Sequence, residues 1–565
     1  EDGAGGGAGE PAATAEAGEA AVCLASAASV SGAGVLLALA GCGPLLSAAR
    51  TAYGKLQEGV YGLRATLLGL LLMALLRVNS AESLKGKDPD HMGRLLGLKR
   101  FCEMKTLRRK LSEMAEQRQA AAWHRILAKG WAEADEVQIG VLYVDGHTRA
   151  YFGKEAVAKG WCSRRRICLP GESDTWVNDA RGEPLLRVTA EGHPALAQVL
   201  AEVAAAVKEM VGEREVTVVF DRGGWSGPAF RQLREMGFHF TTYFRGKWAP
   251  WPESEFSEHT VHGGSREEKY ALAEGRISIA GYGEARAVVR QCEDGKQVAV
   301  VTSKEEAPLL EIALEMFGRW QQENFFKYMR AEYGLDALIE YGSEAPEDRE
   351  IPNPARQAMA KELQKARSSL KGMQARYGRM QLGGQPGEGS GAAATAEGKG
   401  KAASAKRLAA VRAEVAAAGE RVAKLSGELT ALPKRVLLSE TERAQEKVLP
   451  GERKLFADVV KMAAYRAECE LMRKASHHFA RNAEEGHAFV RMVLAQPAQL
   501  RVAGDTVEVI FKPLSAPRYT RALRGICDDV NGTEPRFPES PYRLHFAVAG
   551  DGQTGHASDG PCQEV

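Results

Sequence analysis

Residues 137–147 read VQIGVLYVDGH, and residues 216–224 read VTVVFDRGG. Each stretch is a run of apolar and β-branched residues that predicts a buried strand, and each run ends in an aspartate, Asp145 or Asp221. Helical patterns follow over residues 193–211 and 227–236, so strands and helices alternate as they do in an α/β domain. Functional groups gather where the strands of such a sheet end, although an aspartate at a strand end is also a common turn former. Both aspartates are therefore candidate site residues.

The composition is that of a large soluble protein with several domains. The chain has 565 residues, of which 44% are hydrophobic and 26% charged, and its formal net charge is +2. At roughly 150 residues per domain, this length predicts three or four domains. A nearly neutral charge argues neither for nor against a polyanionic partner. The nine cysteines form no CxxC pair and show no zinc spacing, which favours reduced thiols in a cytosol.

Two apolar stretches near the start do not predict a membrane segment. The uncharged stretch Ala20 to Ala49 contains a sequence similar to a lipoprotein cleavage box, but acidic residues precede it and the first basic residue is Arg50. Glycines also interrupt it. The run Ala65 to Leu76 has about half the length that a bilayer requires, so a buried core helix is the better interpretation.

Changes of pattern along the chain predict five regions. We expect a poorly ordered leader over residues 1–44 and a helical domain over 45–135. An α/β domain follows over 136–345, with a β-rich insertion at about 250–305. Residues 346–435 predict long helices joined by a flexible linker over 383–401, and residues 436–565 predict an α+β region.

The helical domain contains a strongly basic segment. Residues 94–110 read RLLGLKRFCEMKTLRRK, with seven Lys or Arg against one Glu and a predicted helix start at Thr106. This pattern fits a helix-turn-helix that reads DNA, with Lys105, Arg108 and Arg109 as candidate contacts. It fits a solvated basic face on a structural helix equally well.

A third candidate acid lies in a helix predicted over residues 305–333. Residues 319–326 read RWQQENFF, which places Glu323 among aromatic residues, and the apolar face of this helix is predicted to run through Leu309, Ile312, Met316 and Trp320. A carboxylate in such surroundings needs a cation. That cation is either a bound metal ion or Arg319, four residues earlier on a solvated face.

The order of these three acids resembles that of the DDE transposases of bacterial insertion sequences. In that family the first acid ends the first strand, the second ends the strand after the central helix, and the glutamate comes from a later helix. In one large subgroup a β-rich insertion separates the second acid from the glutamate, and that subgroup also carries the signature Tyr, two residues, Arg, three residues, Glu, six residues, Lys. Arg319 and Glu323 match it, Arg330 keeps the charge of the Lys position, and Met316 replaces the Tyr. The resemblance covers roughly residues 45–345.

The resemblance implies a ribonuclease-H-like catalytic domain and a transposase that cleaves transposon ends and transfers strands into target DNA. Asp145, Asp221 and Glu323 would hold two Mg²⁺ or Mn²⁺ ions. It further implies double-stranded DNA as partner, a homodimer on that DNA, and a place in the bacterial cytoplasm at the nucleoid. The alternatives are an inactive transposase-derived DNA-binding protein and a simple metal-dependent nuclease.

Further residues near these acids are candidates for holding DNA. Arg222, Arg319 and Arg330 are candidate phosphate contacts. Trp225 is a candidate for stacking on an unpaired base, with packing in the core as its alternative. His147, two residues after Asp145, is a candidate for proton transfer, with a turn or core role as the alternative.

Overall fold

The computed structural model describes residues 29–56, 61–162, 165–190, 193–263, 266–337, 344–346, 348, 350–382 and 397–550. These residues form two compact units. Residues 344–448 form the smaller unit, and the chain on both sides of that segment forms the larger one. The division differs from the five regions predicted from the sequence.

The α-helices of the described residues lie mainly before and after a central group of strands. They are α1 (Val35–Leu39), α2 (Gly43–Tyr53), α3 (Leu63–Leu75), α4 (Pro89–Arg94), α5 (Met104–Glu116), α6 (Ala120–Ala134), α7 (Leu196–Val211), α8 (Gly227–Glu235), α9 (Leu309–Phe317), α10 (Trp320–Tyr333), α11 (Pro354–Leu382), α12 (Glu397–Ala431), α13 (Gly451–Ser476), α14 (Asn482–Ala495) and α15 (Pro517–Asn531). Within the described ranges, no helix combines the length and apolarity needed to cross a bilayer.

The β-strands form one large sheet and two small ones. They are β1 (Val141–Ala150), β2 (Lys159–Cys162), β3 (Ile167–Asn178), β4 (Pro184–Ala190), β5 (Thr217–Phe220), β6 (His239–Tyr243), β7 (Ser257–Gly263), β8 (Arg266–Ile279), β9 (Gly283–Gln291), β10 (Gln297–Thr302), β11 (Glu350–Pro352), β12 (Arg435–Leu437), β13 (Ala498–Ala503), β14 (Thr506–Phe511) and β15 (Arg543–Val548).

The large sheet has the strand order β2-β3-β1-β5-β6-β10-β9-β8-β7, and β4 pairs with β3. β5 runs parallel to both β1 and β6, whereas β3 is antiparallel to β1. α7 connects β4 to β5, and α8 connects β5 to β6. All four residues of β5 are buried, as its continuous apolar sequence predicts for a central parallel strand. The predicted mixed α/β architecture is confirmed.

The strands between residues 257 and 302 extend the large sheet. β10 pairs antiparallel with β6, and β9, β8 and β7 follow outward from it, so the predicted β-rich insertion is not a separate module. β8 runs as one continuous strand through Gly275. Gly275 does not end the strand, because the Trp251 indole packs over the position where a Cβ atom would stand. The glycine allows a close contact there and does not mark a turn.

The N-terminal helices and the C-terminal region share one hydrophobic core. The Trp123 ring on α6 lies 5.1 Å from that of Phe456 on α13, and Tyr53 on α2 meets both rings edge-on. The helices over residues 45–135 therefore do not form a separate domain. The residues of α1 are all buried, so the predicted poorly ordered leader is wrong for residues 35–39. Residues 1–28 lie outside the described residues.

A buried ionic network joins the large sheet to α13. Asp174 on β3 accepts from Arg149 Nε at 2.5 Å and from Arg187 Nη2 at 2.7 Å, and Arg187 also forms an ion pair with Asp458 on α13 at 3.0 Å. Burial alone would raise the pKa of Asp174, but Arg187 and Arg149 hold it well below its ordinary value. Removing one partner would leave buried charge uncompensated, so the network fixes β1, β3 and β4 against the helix.

The smaller unit contains a pair of long antiparallel helices. Arg356, near the start of α11, donates to the carbonyls of Leu429 and Leu432 near the end of α12. The short strands β11 and β12 pair at the same end. The sequence predicts long helices in this region, and most of the linker predicted between them, residues 383–396, lies outside the described residues.

Candidate active site

Asp145 and Asp221 lie next to each other at one edge of the parallel strands. The last parallel pair between β1 and β5 joins Val144 to Phe220, and an aspartate follows directly on each strand. Asp145 does not end its strand as predicted, because β1 continues to Ala150 in antiparallel pairing with β3. Each aspartate accepts from a nearby backbone N–H through Oδ1, Asp145 at 2.8 Å and Asp221 at 2.7 Å.

The glutamate-bearing segment consists of two helices and not the single helix that the sequence predicts. α9 ends at Phe317 and α10 begins at Trp320. Gly318 between them lies so close to the Tyr143 hydroxyl that a Cβ atom there would collide with it. Trp320 is 58% exposed, so its predicted place on an apolar face is wrong. The break lets Arg319 and the first turn of α10 face β1.

Gln322 fixes the position of α10 on the sheet. Its side chain is fully buried, and Nε2 contacts the carbonyl oxygens of Tyr143 at 3.1 Å and Trp176 at 3.2 Å and Oδ1 of Asn178 at 2.9 Å. These bonds connect the helix to both β1 and β3, one residue before Glu323. Gln322 is not among the residues predicted from the sequence, where its one signal is a polar pair, Gln321 and Gln322, within an aromatic helix.

Arg319 connects two of the three predicted acids. Its Nη1 lies 3.2 Å from Asp145 Oδ2, and its Nη2 lies 2.6 Å from Glu323 Oε1. The i, i+4 pair considered from the sequence therefore exists, and the same guanidinium also reaches Asp145. In the part of the chain that the structure describes, no three His, Cys, Asp or Glu side chains are grouped closely enough to hold a metal ion.

Asp145 has a strongly perturbed carboxyl group. Burial raises its pKa to about 6, and the charge of Asp221 raises it as well, while Arg319 and the N–H of Gly146 act in the opposite direction. A carboxyl group that pays for desolvation and lies beside a second acid favours a bound cation. Strong perturbation of this kind is typical of functional sites.

Two clefts of about 460 Å³ each border these acids. Asp145 and Glu323 line the first cleft, and Asp221 lines the second. The remaining residues of the first cleft are Gly146, His147, Thr148, Cys162, Phe326 and Arg330. Those of the second are Arg222, Tyr243, Arg290, Cys292, Val298, Phe317 and Arg319.

A family model described as "Transposase protein" matches residues 10–550 of this chain. The chain belongs to this transposase family. No curated protein sequence matches the transposase. Among solved structures, it is similar to a piggyBac transposase synaptic complex with hairpin DNA, at 12% sequence identity and a TM-score of 0.29. That match covers 47% of this chain and 59% of the other, and a likeness of this size carries no argument about activity.

The other candidate residues of the transposase occupy different surroundings. Arg222 lines the second cleft and Arg330 the first. Trp225 meets the rings of Phe230 and Phe244 edge-on, each at 5.3 Å, which is the core packing that the sequence analysis weighed against base stacking.

His147 has a packing role in the transposase. Its Nε2 lies 2.7 Å from Asp336 Oδ1, and its ring stacks on Phe326 at 5.0 Å. These contacts engage both the ring face and one ring nitrogen. They agree with the core role that the sequence analysis set against proton transfer.

The basic helix of the transposase borders neither cleft. α5 begins at Met104, two residues before the predicted start, and Lys105, Arg108 and Arg109 are exposed on it. Arg108 forms an ion pair with Glu82. DNA contact by these residues stays a prediction.

Proposed function

We propose that this transposase cleaves DNA at transposon ends and joins the freed ends to target DNA, with Asp145, Asp221 and Glu323 around the reacting phosphate. The observation that carries the proposal is the placement of these acids. Parallel pairing of β1 with β5 brings the two aspartates to one edge of the sheet, and Arg319 connects Asp145 to Glu323. Acids on neighbouring parallel strands and on a later helix are what the resemblance to DDE transposases implies.

The donor chemistry of the three acids fits Mg²⁺ or Mn²⁺, because both ions prefer carboxylate oxygens. When bound, a pair of such ions supplies activation of the attacking oxygen and stabilisation of the leaving oxygen. Arg319 forms ion pairs with both Asp145 and Glu323, so cation binding competes with this guanidinium. The raised pKa of Asp145 adds competition from protons below about pH 6.

The same site serves both steps of the proposed reaction. Water first hydrolyses the phosphodiester at a transposon end, and the freed 3′-hydroxyl then displaces a phosphodiester of the target strand. Each step exchanges one P–O bond for another and needs no covalent bond to the protein. Arg222 lines the second cleft and Arg330 the first, and we expect them to contact DNA phosphates on either side of the acids. Two DNA ends held together favour a homodimer on DNA.

The test uses purified protein, Mg²⁺ and DNA carrying the inverted repeats that flank the gene. Cleavage with joining supports the proposal, whereas cleavage alone indicates a nuclease and a mobility shift alone a DNA-binding protein. Asp145→Asn and Glu323→Gln should each abolish cleavage. Glu235→Gln, at an exposed position of α8, is the matched control and should leave it unchanged. Full activity of either site variant would overturn the assignment of the acids.

A further inference from the structure

The second cleft holds two guanidinium groups that have no acidic partner within 4 Å among the described residues. Arg222 is exposed beside Asp221, with its Cζ 5.7 Å from the Tyr243 ring. Arg290, on β9, is half-buried beside the stacked rings of Tyr270 and Phe317, with its Cζ 4.7 Å from the centroid of Tyr270 and 4.8 Å from that of Phe317. The rings hold the guanidinium of Arg290 in place and leave its N–H groups without a charged acceptor.

The missing acceptor is an energetic argument for an anion. Contact with aromatic faces recovers about 0.5–2 kcal/mol for a guanidinium, which only partly offsets the loss of water around a half-buried charge. Other half-buried arginines of the larger unit have acidic partners; Arg466, for example, forms ion pairs with Asp179 and Glu183. An oxyanion bound in the second cleft would give Arg290 the negatively charged partner that Arg466 has in Asp179 and Glu183.

Tyr243 supplies a third hydrogen-bond donor to this cleft. Burial raises the pKa of its phenol, Arg319 lowers it, Glu323 raises it, and Arg222 and Arg290 lower it. The phenol therefore stays protonated at neutral pH. Tyr243 lines the second cleft together with Asp221 and the two unpartnered arginines.

We propose that the second cleft binds a phosphodiester group of the DNA strand beside Asp221, with Arg222 and Arg290 contacting its oxygens and Tyr243 donating its hydroxyl proton. This inference rests on the proposed function. Arg290 comes from a strand that the sequence predicts as part of an insertion, so that segment contributes directly to DNA binding. The planar guanidinium of arginine can donate two parallel hydrogen bonds to one phosphate group.

The test measures binding of a fluorescently labelled DNA duplex of mixed sequence in EDTA, over a series of salt concentrations. Without divalent cations no cleavage intervenes, and affinity for phosphates does not require the specific ends. The variants are Arg290→Gln, Arg290→Lys and Tyr243→Phe. Arg276→Gln is the matched control: it removes an exposed arginine of β8, the strand next to β9, that is paired with Glu305 in the loop after β10. Thermal unfolding verifies that each variant folds.

Arg290→Gln should weaken binding about tenfold and reduce the slope of log affinity against log salt by about 0.9, the value for one phosphate contact. Arg290→Lys should keep the slope and recover part of the affinity, because it keeps the charge without the planar fork. Tyr243→Phe should weaken binding without changing the slope. Equal binding by Arg290→Gln and Arg276→Gln would overturn the cleft assignment alone. Failure of the unmodified protein to bind DNA would overturn the proposed function as well.

Discussion

Replacing Asp145 by asparagine should stabilise the folded protein while it abolishes cleavage. The pKa of Asp145 rises from 3.8 to about 6 in the folded state, and the side chain is only 25% exposed. Because the folded-state pKa lies above the unfolded one, the folded state binds more protons between these values, and stability falls as pH rises through this window. Above pH 6 the charged carboxylate therefore costs about 3 kcal/mol of folding free energy, at 1.36 kcal/mol for each pKa unit.

Asparagine has nearly the same shape and removes this cost. The free energy of unfolding of Asp145→Asn should exceed that of the unmodified protein by about 3 kcal/mol at pH 8, by about half of that at pH 5, and by little at pH 4. For a chain of this length the gain at pH 8 corresponds to about 2–3 °C in Tm. Thermal unfolding at the three pH values measures it.

Asp294→Asn is the matched control for this experiment. The Asp294 carboxylate is exposed, and its bond to Lys296 lowers its pKa, so the substitution should give no stabilisation. Mn²⁺ should raise the Tm of the unmodified protein and have little effect on Asp145→Asn. An Asp145→Asn protein that is less stable than the parent at pH 8, or whose difference from it does not shrink toward pH 4, would refute this account of the site.

Three further substitutions test the surroundings of the acids. Gln322→Met removes the donor that anchors α10. The free energy of unfolding measured in urea should fall by about 2 kcal/mol, and DNA cleavage should fall with it. Unchanged cleavage would contradict the anchoring role. Arg319→Gln removes the charge that lowers the pKa of Asp145, and the pH midpoint of cleavage should therefore move upward; a downward shift would speak against the contact. Asp174→Asn removes a charged partner from two buried arginines, so the free energy of unfolding in the same assay should fall by about 3–5 kcal/mol. A fall of less than 1 kcal/mol would contradict the stabilising role of the ionic network.

The placement of Asp221 could be predicted from the sequence because its strand is short and continuously apolar. The end of β1 was harder to predict from the sequence. The second half of this strand, residues 145–150, is the polar sequence DGHTRA and looks like a turn. This half of β1 remains a strand because Arg149 pairs with Asp174 on β3. Asp174 lies 25 residues away in the chain, so no local pattern reveals the pairing. Buried charge in a strand can be recognised only when its partner is known.

The helix of Glu323 was predicted, but its position on the sheet was not. That position depends on Gln322, whose bonds reach residues 144 to 179 positions earlier in the chain. The shared core was also missed, because the packing of Trp123 against Phe456 leaves no trace in the periodicity of either helix. Local pattern predicts an element and its apolar face, whereas the partner of that face is set by the whole chain.

The common core of the first and last helices has a consequence for synthesis on the ribosome. Trp123 leaves the exit tunnel more than three hundred residues before Phe456, which completes its packing. Until then the nascent chain carries an uncovered apolar surface, and its need for chaperones should be greatest in that interval. A late frameshift that removes α13 would leave this surface exposed permanently, so truncated copies of the gene should yield aggregation-prone products that are cleared by proteolysis.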